Sequence, residues 1–115
     1  MSSGKGTSLE PNVAGALSYL FGWITGLIFF MIEPNDSFVR FHAMQSIIVF
    51  GAITIVNILF YILWVIPVVG WIFGAVLATI LWVFALVLWI ILMIKAYQGE
   101  RFKLPIVGDF AEKYS

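Results

Sequence analysis

Apolar residues fall in long unbroken runs along this chain, separated by short polar breaks. The first run, Val13 to Ile32, contains no charged residue. At 1.5 Å per residue it covers about 30 Å, the depth of a bilayer's hydrocarbon core. It predicts a first transmembrane helix over 13–32. Glu33-Pro34-Asn35-Asp36-Ser37 then has the composition of a turn, with Asp36 or Ser37 able to cap the next helix. Residues 38–46 mix aromatic, basic and polar side chains. They predict an interfacial amphipathic stretch, either the first turns of the next helix or a short helix on the membrane plane. From Ala43 to Ile94 there is again no charge. As one helix that run would be roughly 78 Å long, so it must fold back. Pro67 ends a helix and Gly70 permits a tight turn, which places the reversal at Ile66–Trp71. The expected fold is therefore an all-α integral membrane protein with transmembrane helices at about 13–32, 47–66 and 71–94. Residues 1–12 read as a flexible leader, 13–98 as the membrane domain, and 99–115 as a tail of loops and short turns.

Composition strengthens this reading. Hydrophobic residues make up 63% and charged residues 10% of the chain, against about 45–50% and 25% in soluble domains. A chain of this size has too little interior to hide so much apolar surface. Six basic residues balance six acidic ones, so no basic patch for nucleic acid is expected. With no cysteine, disulfides and thiolate metal sites are excluded. Three spans place Lys5 on one side and Arg40, Lys95, Arg101, Lys103 and Lys113 on the other. The positive-inside rule then predicts a cytoplasmic C-terminus and 33–46 segment in the cell membrane, with the N-terminus outside.

Three groups of residues stand out within this frame. Ser18, Gly22 and Gly26 recur every fourth residue, as do Gly70, Gly74 and Ala78. Small residues let helix backbones approach closely in lipid, so these rows predict packing within the chain or between subunits. Thr54, Asn57 and Tyr61 share one strip of the second helix, within about 80° of Ser46 at 100° per residue. An unpaired amide in hydrocarbon is costly, so Asn57 is expected to face a partner helix or a wet path. Arg40, His42 and Gln45 form the interfacial polar group. The spans lack Asp, Glu, Lys, Arg and His, which argues against proton pumps, ion-coupled transporters and voltage sensors. A single histidine supports neither a metal site nor a catalytic triad. No enzyme activity and no cofactor are expected.

The segments GWITGLIFFMIE (22–33), FVRFHAMQS (38–46), IPVVGW (66–71) and WIILMIKAYQGERFKLPIVGDFAEK (89–113) resemble a family of small uncharacterised prokaryotic membrane proteins. That family is grouped with the Tic-type component of the chloroplast inner-envelope protein import channel. The resemblance implies a part in a protein-conducting assembly. Two functions are therefore expected to compete. One is a channel or translocon-like subunit that acts as an oligomer. The other is an accessory or scaffolding membrane subunit with no transport of its own. Membrane lipids, further copies of the chain or other membrane proteins are the expected partners.

Overall fold

A computed structural model describes residues 9–115. The described residues form five α-helices and no strand. They are α1 (Pro11–Leu17), α2 (Trp23–Ile32), α3 (Ser37–Ile62), α4 (Val69–Tyr97) and α5 (Val107–Tyr114). A turn of 3-10 helix, Leu63–Val65, tightens the end of α3. The leader expected at 1–12 lies largely outside the described residues; α1 already begins at Pro11, whose missing N–H suits a first helical position.

The expected first span is not one helix. The chain leaves helical geometry after Leu17 and re-enters it at Trp23. Gly22 stands at the break with φ +65° and ψ −133°, a backbone state that only glycine takes without strain. The two short helices then run in opposite directions along α3. Going in, Asn12 donates to the Tyr97 carbonyl at 3.0 Å, Gly15 lies against Phe38 and His42, and Tyr19 reaches His42 and Phe50. Gly22 abuts Phe50. Coming back, Gly26 meets Ala43 and Ser46, and Arg40 donates to the Phe30 carbonyl at 3.0 Å. The segment 11–32 is thus a helical hairpin folded back along α3. Its two ends lie at the same end of the molecule, and its tip is level with Phe50. Thirteen helical residues separate Ser37 from Phe50, a depth of about 20 Å. Among the described residues two helices, α3 with its 3-10 turn and α4, are long and apolar enough to cross a membrane.

Residues 38–46 belong to the continuous helix α3. Asp36 caps it, accepting from the backbone N–H groups of Phe38 and Val39 at 3.0 and 3.2 Å. The reversal at Pro67 is where the sequence places it. Gly70 sits so close to the Leu63 carbonyl that no side chain fits there, and a Cβ on Gly74 would fall 2.7 Å from the Trp64 indole nitrogen. Leu63 and Trp64 stand on the approach to the turn, Gly70 and Gly74 on the exit.

Two helices start with the same device. Ile66-Pro67-Val68-Val69-Gly70 opens α4, and Leu104-Pro105-Ile106-Val107-Gly108 opens α5. In each, the residue after proline takes positive φ, 63° at Val68 and 67° at Ile106. The next N–H then bonds the proline carbonyl at 2.7 Å, closing a strained three-residue turn. Glycine comes next, where the chain packs tightly on itself; a Cβ at Gly108 would lie 2.5 Å from Lys103 Cβ. The tail expected to hold only loops and short turns therefore contains an eight-residue helix, α5, packed against α3.

Candidate functional site

Breaking a helix frees backbone carbonyls, and apolar surroundings cannot hydrogen-bond them. Side chains from three helices do so here. Thr25 Oγ1 donates to the Ser18 carbonyl at 3.2 Å and accepts from the Phe21 N–H at 3.0 Å. Trp89 on α4 donates its indole N–H to the Tyr19 carbonyl at 2.8 Å and lies 3.2 Å from that of Leu20. Ser46 on α3 donates to the Gly22 carbonyl at 2.8 Å. Ser18 donates to its own helix at Ala14. The hairpin tip is thereby fastened to both long helices.

Beside the hairpin lies a buried polar clasp. His42 Nε2 is 2.8 Å from the Glu100 carbonyl, which can only accept. That nitrogen must carry a proton, so the neutral ring offers Nδ1 as an acceptor. The Tyr19 hydroxyl, 2.7 Å away, donates to it. Gln45 Nε2 in turn donates to the Tyr19 oxygen at 3.0 Å and to the Phe102 carbonyl at 2.9 Å. Gln45 Oε1 accepts from the Leu104 N–H at 3.0 Å. Tyr19, His42 and Gln45 are all fully buried. Every donor finds an acceptor, so the three side chains join the turn after α1, α3 and the tail segment 100–104 into one unit. Phe38 and Phe41 wall the imidazole with edge-on rings.

The same end carries the charged residues. The Arg40 guanidinium sits 3.9 Å from the Phe30 ring centre. Arg101 donates to Ser37 Oγ at 2.8 Å. Lys103 pairs with Glu112 at 2.9 Å and Asp109 at 3.1 Å, tying the tail segment to α5. These partners, the hydrogen bond to Glu112 foremost, hold the ammonium above its ordinary range.

The remaining residues singled out in the sequence are not drawn into the clasp. Gly22 and Gly26 serve the hairpin's packing on α3, Gly70 and Gly74 the turn, and Ala78 is buried along α4. Thr54 bonds its own helix at the Phe50 carbonyl, 2.7 Å away. Asn57 and Tyr61 line a shallow cleft of about 250 Å³ with Ile53, Leu81 and Trp82. Asn57 Oδ1 is buried there without a hydrogen-bond partner among the described residues. A larger cleft of about 430 Å³ adjoins it beneath the hairpin tip, walled by Trp23, Phe50, Trp82 and Trp89. Sequence reasoning missed Tyr19, Thr25 and Trp89. The available signal was a hydroxyl or an indole N–H in an otherwise apolar run, which must find a partner.

A model of the magnetosome magnetite crystal formation protein family matches residues 7–111. The chain belongs to this family. The magnetosome-family match spans the hairpin, both long helices and most of α5. Similar proteins include a UPF0132 membrane protein of Methanocaldococcus jannaschii, 49% identical over 93% of this chain and 90% of its own length. A second from that organism is 47% identical over 92% of this chain and 71% of its own length. One from Archaeoglobus fulgidus is 45% identical over 91% and 95%. No solved structure matches. The expected membership of a small prokaryotic membrane protein family therefore stands, whereas the tie to the chloroplast import component rests on resemblance alone.

Proposed function

We propose that this magnetosome-family member is a structural, non-enzymatic subunit of the cell membrane with two spans. The start of α1, the 33–37 turn and the C-terminal tail share the cytoplasmic face. The observation that carries this reading is the use to which polar groups are put. The hydroxyls, amide, imidazole and indole at hairpin depth bond the chain's own backbone or one another. That leaves the membrane part rigid and its charged end as the working surface. The clefts between α3 and α4 are walled mainly by aromatic and aliphatic side chains, which supports a scaffold over a channel. Among the described residues all five basic side chains lie at the end opposite the Pro67 turn, favouring that end as cytoplasmic. The family's description concerns magnetite crystal formation. For this chain we carry over only a role within a membrane. Its acidic residues near α5 are paired with Lys103 rather than arrayed as a mineral-facing surface.

The chain has no native cysteine, so single cysteines report the topology directly. Glu10→Cys and Ser115→Cys should both react with an impermeant maleimide in inverted membrane vesicles and in neither case in right-side-out ones. Labelling of Glu10→Cys from the outside would restore the three-span arrangement. Native mass spectrometry of the gently released assembly should show the chain bound to other copies or partners. Stepwise currents from the purified protein in planar bilayers would overturn the scaffold reading in favour of a channel.

A further inference from the structure

The hairpin gives the molecule unequal widths at its two ends. Down to the level of Phe50, four helical segments stand side by side: α1, α2, the first half of α3 and the last half of α4. The tail and α5 pack against this same half through His42, Gln45 and the surrounding core. Beyond Phe50 only α3 and α4 continue, as a bare two-helix ribbon to the Pro67 turn. Side chains along that ribbon, including Ile55, Ile58, Phe73 and Ile80, are more than half exposed. The hairpin's depth of about 20 Å, counted from the Ser37 end, ends near the middle of a bilayer whose core is about 30 Å and whose full thickness is about 40–45 Å. Each helix is a cylinder about 10–12 Å across, so the two extra helices add roughly 160–230 Å² of cross-section to one leaflet alone.

The hairpin is also built to hold that shape. Its tip is bonded to α3 through Ser46 and to α4 through Trp89. Its inbound arm is locked by Tyr19 to His42 and Gln45. A soft insertion would be squeezed out by lateral pressure, whereas a fastened one transmits its width to the lipid. The geometry points to a further activity: the protein is a one-leaflet wedge that favours membrane curved convexly toward its charged end. Its ligand in this role is the bilayer itself, in a bent state, and the recognition is of leaflet area rather than of a headgroup. This rests on the two-span topology proposed above.

The test measures orientation against vesicle radius. The full chain carrying Ser115→Cys is reconstituted into pure phosphatidylcholine vesicles of decreasing radius, so that headgroup charge contributes nothing. Impermeant maleimide then reports the fraction of chains with the charged end outward. A wedge gives an outward-to-inward ratio that rises as the radius falls and approaches one in large vesicles. A ratio independent of radius overturns the inference and leaves the scaffold reading intact. Glu10→Cys is measured in parallel. If its outward fraction follows that of Ser115→Cys at every radius, the hairpin topology stands and the trend belongs to the wedge. If the two fractions are complementary, the two-span topology fails and the wedge with it.

Discussion

Replacing Gln45 with leucine isolates the clasp. The two side chains have similar volume, so packing is largely kept and the hydrogen bonds alone are removed. Gln45 makes three: to the Tyr19 oxygen at 3.0 Å, to the Phe102 carbonyl at 2.9 Å and from the Leu104 N–H at 3.0 Å. The last two satisfy backbone groups of the tail. Left buried and unpaired, each of those groups costs about 1–3 kcal/mol. The tail escapes the full penalty by undocking into water, where both groups are hydrated. The variant should therefore show release of residues 100–104 rather than loss of the fold. Taking about 2–4 kcal/mol as the shift, and 1.4 kcal/mol per tenfold change, opening of the tail rises roughly 30- to 700-fold. Amide hydrogen exchange at Leu104, in protein held in lipid nanodiscs, reads this number. Tyr19→Phe is the matched control. It removes one partner of Gln45 but neither tail bond, so Leu104 should stay close to wild-type protection. An unchanged Leu104 rate in Gln45→Leu would refute the reasoning and mean that apolar contacts of Phe102 and Leu104 hold the tail unaided.

The same geometry predicts three further outcomes. Gly22→Ala forces an L-residue into φ +65° with its Cβ 3.2 Å from Phe50 Cβ, at a cost of about 1–3 kcal/mol; the thermal midpoint of the purified protein should fall, and an unaltered midpoint would place the break elsewhere. Lys103 has its affinity for a proton raised by Glu112 and Asp109. A lysine raised on folding adds stability that is fully present below its unfolded value and lost as pH climbs through the folded one. Proteolytic clipping between the tail segment and α5 should therefore accelerate above pH 10.5, and also at neutral pH in high salt, since these charges are exposed and screened. Asn57 Oδ1 has no partner among the described residues, so Asn57→Leu should leave the thermal midpoint unchanged or higher; a marked drop would mean that the amide is satisfied within the assembly.

The parts of this fold that depend on length and charge were legible in the sequence. The long helices, the Pro67 reversal and the polar turn at 33–37 follow from bilayer depth and from residues that cannot continue a helix. The helical hairpin at 11–32 was not legible by those means. A run of apolar residues long enough to span looks the same whether it crosses or doubles back. Gly22 and Gly26 likewise match a row that packs straight helices. What separates the two readings is a set of long-range bonds: Trp89 to Tyr19, Ser46 to Gly22, and Tyr19 to His42. None of these is a spacing along the chain. The repeated Pro-Xaa-Val-Gly starts of α4 and α5 were visible as letters, but their common geometry depends on backbone angles that propensity disfavours. Nor could spacing alone bring His42 and Gln45 to a tail more than fifty residues away.

Charge is as unevenly distributed as width. Among the described residues all five basic side chains lie at the end opposite the Pro67 turn, and that turn bears no charge at all. An end made of Trp64, Val65, Ile66, Val68 and Trp71, each at least 47% exposed, has no charged group to hold it in water. It is suited to remain within the far interface while the charged end anchors the protein in the near one. The stability of the fold and its uneven width both depend on the strain-tolerant glycine at position 22. The Gly22→Ala variant should accordingly disturb both together: a lowered thermal midpoint and, in small vesicles, a weakened preference for the outward orientation. If the midpoint falls while the preference is undiminished, the hairpin is not what gives the molecule its direction in the membrane.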